Sequence, residues 1–345
     1  MSLIKETMES RIASFQEPLE ENVVRCLLCP HACVLKNGQT GFCRTRINKE
    51  GKLYTISYGN LCSLCIDPIE KKPLFHFFPG TKILSLAVNG CNFRCLNCQN
   101  WELSQTSPEK SGNHVFLPVE VVRHTLRCEL KNIAFTYTEP TVFYEYVFDT
   151  IKLAHEQGLK TVLVSNGYIN NQPLLEICPF LDAANIDLKG FDEKVYHQLA
   201  GGRLQPVLET LKTLKEQGIW LEITNLLVPG FSDNPEIIRS MCNWLVENGF
   251  NETPLHFSRF FPAYKLNDTP PTSVKSLIQA REIATTAGIK YVYIGNIPSL
   301  NAENTFCPNC KTLLVERRGY EIYQNRIING QCLSCGCQIN GVWSD

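Results

Sequence analysis

Three cysteines, Cys91, Cys95 and Cys98, fall inside the stretch NGCNFRCLNCQN (89–100) with the spacing C-x3-C-x2-C. Thiolates are metal ligands, and a closed structural site takes four of them. Three leave one position open. That suits a [4Fe–4S] cube held through three of its irons, with the fourth iron free for an exogenous ligand, much as catalytic zinc keeps one open position. It also suits a zinc ion completed by a nearby histidine, with His76 and His114 as candidates.

The chain carries 17 cysteines, and most of the others cluster too. CPNC (307–310) and CLSC (332–335) are two knuckles around the alternating, hairpin-like TLLVERRGYEIYQNRI. Cys307, Cys310, Cys332 and Cys335 therefore predict a tetrahedral zinc ribbon with no position open to substrate. Such a site staples a small unit that lacks a sufficient core, or builds a docking surface. Near the other end, RCLLCPHACVLKNGQTGFCRTR (25–46) contains Cys26, Cys29, Cys33 and Cys43. These four suit zinc or the four corners of an auxiliary iron–sulfur cluster, with zinc the first choice. His31 is a competing ligand there, or a residue packed within the loop. Cys62 and Cys65 form a lone C-x2-C. Cys128, Cys178, Cys242 and Cys337 are isolated, and the first two read as small buried hydrophobes in helices.

The elements that must position the central triad alternate along the chain. KILSLAV (82–88) is continuously apolar, as a strand buried on both faces requires. A helix over 118–131 starts at Pro118, a favoured first-turn residue. Strand 132–138, helix 141–158 ending at Gly158, strand 159–165, a short helix near 172–178 and strand 181–188 follow. Helix 204–217, strand 219–228, helix 234–249, strand 254–260, helix 272–286 and strand 289–295 complete the series. Polar residues gather after the strand ends, where barrel enzymes collect their chemistry. The expectation is an α/β fold, a partial (β/α) barrel of about six to seven parallel strands. It spans residues 81–300 between a Cys-rich N-terminal metal-binding region (1–80) and a C-terminal zinc ribbon (301–345).

CNFRCLNC on such a repeat resembles the radical S-adenosylmethionine (SAM) superfamily, in the branch near the glycyl-radical-enzyme activases. The resemblance implies that SAM chelates the open iron and is cleaved reductively to a 5′-deoxyadenosyl radical that abstracts hydrogen from a substrate. TEP (138–140) resembles the end of the family's Gly-Gly-Glu-Pro, which assigns Glu139 to the SAM amino group. SNGY (165–168) resembles the ribose-contacting motif and gives that role to Ser165 and Asn166. IDLKG (186–190) resembles the activases' Asp-x-Lys segment and puts Asp187 and Lys189 near the SAM carboxylate or the substrate, as the catalytic pair. LLVPGFSD (226–233) resembles their next strand-end loop.

Across residues 20–345, CLLCPHAC…GFC, DPIEKKPLFHFFPG, CNFRCLNCQNWELSQ, TYTEPTVFYEY and CPNC…LLVERRGY resemble the radical SAM enzymes of the AmmeMemoRadiSam system. That implies AMMECR- and Memo-family partners and a reductant of the flavodoxin or ferredoxin type. Two departures stand out. Asn97 occupies the position where an aromatic usually helps to hold adenine, with Trp101 a candidate substitute. Tyr137 and Thr138 replace the two glycines before Glu139. His256 and Arg259 are candidates for substrate contact or for packing. DPIEKKPLFHF (67–77) reads as a cap over the barrel mouth or as a connecting loop.

Composition bounds the alternatives. A net charge of −1 creates no global field for nucleic acid or an anionic membrane. The opening MSLIKETMESRIASF mixes both charge signs without an apolar run, and nothing approaches the ~20 apolar residues of a membrane span. A cytoplasmic protein is expected. The competing readings are a glycyl-radical-enzyme activase and a non-catalytic zinc-binding scaffold.

Overall fold

The computed structural model describes residues 11–110, 114–297 and 302–343. Most of the opening stretch MSLIKETMESRIASF, and the junction expected at 300–301, lie outside the described residues. No helix among the described residues is long and apolar enough to cross a membrane.

A nine-stranded sheet organises the molecule. Its order runs Val292–Gly295, Leu255–Arg259, Trp220–Leu227, Ala183–Asp187, Lys160–Ser165, Asn132–Phe135, Lys82–Val88, Asn60–Pro68 and His114–Val115. The seven strands from Lys82–Val88 to Val292–Gly295 pair in parallel. They also lie in chain order, without the reversal that defines a switch point in a doubly wound sheet. Continuous apolar runs make these strands because both faces are covered: all four residues of Asn132–Phe135 are buried. Outside them, helix Leu204–Glu216 buries Leu204, Val207, Leu208, Leu211 and Leu214 at helical spacing.

Three local expectations change. Asn60–Pro68 is a nine-residue strand antiparallel to Lys82–Val88, so Cys62 and Cys65 lie on a bulged strand and form no knuckle. The strand expected through residue 138 stops at Phe135, because Tyr137 takes φ 64° and turns the chain out of the sheet. Helix Glu193–Ala200 has no counterpart among the expected elements; Asp192 caps its start by accepting from Val195 N, and Gly201 at φ 76° ends it.

The two flanks attach differently. In the N-terminal flank, two small antiparallel sheets share the main core: Val24, Leu28, Leu35 and Leu53 belong to the same apolar cluster as the parallel strands. Arg46, 1% exposed, is ion-paired to Glu145 on helix Tyr144–Glu156, and Thr45 Oγ1 donates to the carbonyl of Val142. A buried pair of this kind holds register strongly, since losing either partner strands a charge. The C-terminal flank has a separate cluster of its own, built on Cys307, Leu314, Val315, Ile327, Cys332 and Ile339 against Phe75, Tyr291 and Tyr293. Arg317 anchors it by donating to the carbonyl of Phe75 at 2.7 Å.

Candidate active site

Strand ends and the loops after them enclose a cleft of about 1500 Å³, its open mouth included. Cys91, Cys95 and Cys98 line it together with Asn97, Glu139, Asn166, Asp187 and Lys189. The loop that carries the triad starts where strand Lys82–Val88 ends. Gly90 is obligatory there: at φ 107°, a Cβ on it would lie 2.7 Å from the carbonyl oxygen of Cys43 and 2.6 Å from Thr45 Cγ2. Asn92 fixes the same loop by donating to the carbonyl of Tyr168, and Phe93 packs between Tyr168 and Tyr196.

The triad thiols are in a setting that suits metal. Cys91 Sγ accepts from Phe93 N at 3.3 Å, and Cys98 Sγ lies 3.2 Å from Ser104 Oγ. Burial raises the Cys91 thiol and pushes Cys95 up to about 12, with Lys189 opposing the latter shift. Thiols raised in this way become ligands when a cation supplies the compensating charge. His76 does not join them. Its Nδ1 donates to the carbonyl of Asn340 and its Nε2 accepts from the Tyr293 hydroxyl, both at 2.6 Å. His114 is exposed on the edge strand.

Glu139 is 1% exposed and receives four hydrogen bonds. Thr141 N and Oγ1 and Ser165 Oγ donate to Oε1 at 3.0, 2.7 and 2.8 Å, and Asn166 N donates to Oε2 at 2.8 Å. Burial pushes its pKa up while these donors hold it back. Ser165 thus helps to position the carboxylate. Its hydroxyl points at Glu139, and Ser165 is not part of the cleft wall. Asn166 does reach the cleft, where its Nδ2 donates to Asn92 Oδ1 at 2.8 Å.

Asp187 and Lys189 form an ion pair at 2.6 Å in the same cleft. Burial opposes the Lys189 charge, but Asp187 and the nearby Cys95 raise its pKa above the ordinary value. Asn97 is 7% exposed, and its Oδ1 has no hydrogen-bond partner among the described residues. An orphaned amide oxygen in a cleft wall is an acceptor waiting for a ligand N–H. Trp101 stacks on Tyr264 with centroids 5.2 Å apart. His256 is buried against Glu222, and Arg259 Nε donates to the carbonyl of Thr272.

Several residues beyond the assigned site residues also line the cleft. Lys71 and Lys72, from the 67–77 loop, line it with Ser258, Asn296 and Tyr320. The loop thus forms one wall of the mouth and, through Phe75 and His76, the seat of the C-terminal flank. Tyr137 holds its left-handed conformation, which costs about 1–3 kcal/mol, because three contacts grip it. Asn100 donates to its carbonyl at 2.8 Å, its hydroxyl donates to Asp67, and Lys72 lies 4.3 Å over its ring. Burial opposes the Asp67 charge, but Lys71, Lys72 and Tyr137 hold the carboxyl well below its usual range.

The two outer cysteine sets differ in geometry. Cys307 and Cys335 Sγ are 3.6 Å apart, and Cys310 and Cys332 Sγ are 3.7 Å apart. A tetrahedral ion with ~2.3 Å metal–sulfur bonds has edges of about 3.8 Å, so these four fit a single ion. Their sulfurs all lie within 4.8 Å of one another, and no other set of three or more potential ligands among the described residues is gathered for one ion. Cys26, Cys29, Cys33 and Cys43 line one cavity with His31 and Phe42. His31 Nε2 donates to the carbonyl of Asn92 at 2.7 Å while its ring stacks on Phe42.

With this geometry in view, the relatives are informative. The family model of the Radical SAM superfamily matches residues 86–244, the segment that contains the triad, Glu139 and the Asp187–Lys189 pair. The chain belongs to this superfamily, which marks it as an enzyme and implies a [4Fe–4S] cluster and SAM. It is 48% identical to the uncharacterized protein MJ0808 of Methanocaldococcus jannaschii over 96% of this chain and 98% of the relative. It is 24% identical to the pyruvate formate-lyase 1-activating enzyme of Escherichia coli K12 over 62% of this chain and 93% of that enzyme. The fold is shared with Streptococcus suis SuiB bound to S-adenosylmethionine, at a TM-score of 0.51 and 14% identity, covering 70% of this chain and 56% of SuiB.

Proposed function

We propose that this chain binds a [4Fe–4S] cluster through Cys91, Cys95 and Cys98 and uses SAM to generate a 5′-deoxyadenosyl radical that takes a hydrogen atom from a substrate. The observation that carries this reading is one cleft in which three half-buried thiols, the four-donor carboxylate of Glu139, the unpartnered Asn97 Oδ1 and the Asp187–Lys189 pair converge. The cluster, when bound, supplies the electron that splits the sulfonium into methionine and the radical. Glu139 holds an ammonium, because an ionised carboxylate in a water-poor pocket makes strong charge-assisted bonds. Lys189 offers its ammonium to a carboxylate of SAM or substrate in place of Asp187. Asn97 Oδ1 accepts from a ligand amine, a role suited to the adenine amino group. The rest of the cleft, walled by Lys71, Lys72 and Tyr320, takes the substrate.

In this reading the seven parallel strands form a partial barrel, with boundaries near residues 80 and 300. The C-terminal four thiolates hold zinc. The enzyme works in the cytoplasm with AMMECR- and Memo-family proteins and draws electrons from a flavodoxin or ferredoxin. Anaerobically purified protein given SAM and dithionite is expected to release 5′-deoxyadenosine and methionine, and Cys95→Ala to release neither. Iron- and sulfide-loaded wild type that yields no 5′-deoxyadenosine overturns the reading. Similarity to the pyruvate formate-lyase 1-activating enzyme favours one second reading, an activase that leaves a glycyl radical on a partner protein. A glycyl-radical spectrum on that partner after turnover distinguishes it.

A further inference from the structure

The N-terminal cysteines pose a question that thiol count leaves open, since zinc and a [4Fe–4S] cluster both accept four thiolates. Sulfur spacing separates the two. Around one ion, all four sulfurs are corners of a single small tetrahedron, as they are in the C-terminal set at 3.6 and 3.7 Å. Around a cube, each sulfur binds a different iron, and the four stand further apart around a central space. Cys26, Cys29, Cys33 and Cys43 all face one cavity yet are not gathered for a single ion. The central triad has the same character: its three thiols share a cleft without single-ion spacing.

A second observation points to an occupant. Arg46 lines this cavity at 1% exposure, and its Nε has no partner among the described residues. A buried guanidinium N–H left unpaired is costly, and an anionic cluster offers sulfur acceptors for it. We infer that Cys26, Cys29, Cys33 and Cys43 hold a second [4Fe–4S] cluster, fully ligated by protein. Asn92 and Thr141 belong to its cavity wall, and each also supports the central site: Asn92 through Asn166, and Thr141 through Glu139. Asn92 and Thr141 thus form a shared wall that joins the two sets of thiols.

The test is metal content of the full chain as isolated anaerobically, without reconstitution. Wild type is expected to carry about eight irons and eight sulfides with about one zinc. The triple variant Cys91→Ala/Cys95→Ala/Cys98→Ala should keep about four irons and, once reduced with dithionite, show the electron paramagnetic resonance signal of a reduced [4Fe–4S] cluster. A triple variant that retains its zinc ribbon and holds about two zincs and no iron overturns the inference. Should that variant fail to fold, wild type with about four irons and two zincs overturns it equally. Neither outcome depends on SAM cleavage, so failure of the proposed function would be seen separately, as missing 5′-deoxyadenosine.

Discussion

The two ends of this molecule each present four cysteines, and they are built in opposite ways. The C-terminal four stand at single-ion spacing inside a unit with its own small apolar cluster. The N-terminal four surround a cavity in a flank whose apolar residues merge with the main core. A small unit with little core depends on a staple, whereas a flank already rooted in a large core can devote its thiols to a larger group. Attachment to the core and sulfur spacing, more than cysteine count, distinguish the two sets.

The largest effect that would sharpen this contrast is expected from single ligand changes at the two ends. Cys335→Ser should release the zinc and unfold the C-terminal flank, because binding a structural zinc contributes roughly 10–16 kcal/mol in small domains. Cys29→Ser should instead lower iron and leave zinc in place. Metal analysis beside limited proteolysis of residues 302–343 reads both; equal loss of zinc from both variants would break the comparison.

The Glu139→Gln change comes next. The amide cannot accept at both ends, so about 1.5–3 kcal/mol of charge-assisted bonding is lost, equivalent to SAM affinity reduced by roughly 10- to 100-fold. Equilibrium dialysis checks this, with metal content unchanged. Gly90→Ala is expected to cost about 1–3 kcal/mol by overpacking. Its Cβ would press on the Cys43 carbonyl, so iron at the triad and at the N-terminal site should fall together. Loss from one site alone would show that the shared wall does not couple them.

The smallest effect concerns pH and the C-terminal seat. Burial pushes His76 down to about 4, with Glu222 and the Asn340 carbonyl opposing the shift. The unfolded chain takes up this proton near pH 6.5, so between ~6.5 and about 4 it binds more protons than the folded chain. Stability should therefore decline as pH falls through that window, and the decline should be weaker in His76→Gln. Urea midpoints at pH 7 and pH 5 measure it.

Part of the site is legible in the residue order. The triad spacing, the strand–helix period and the positions of Glu139, Asp187 and Lys189 after strand ends are local features, and the cleft does gather those residues. The contact of Ser165 with Glu139 is not legible, because the hydroxyl's direction depends on a residue 26 positions away. That Lys72 and Tyr320 share one cleft is not legible in sequence, since a loop before the first parallel strand and a hairpin after the last one meet only in space.

The sequence by itself determined the number of thiolates, their spacing along the chain, the alternation that builds the parallel sheet and the order of the SAM-type motifs. Each of these is encoded among near neighbours in the chain, by periodicity or by motif. Tertiary structure alone decided the sulfur-to-sulfur distances, the strand placement of Cys62 and Cys65, the glycine-like turn at Tyr137 and the joining of both flanks to the cleft. These rest on packing between segments far apart in the chain, where a small displacement distinguishes a single ion from a cluster and leaves no mark on the order of the residues.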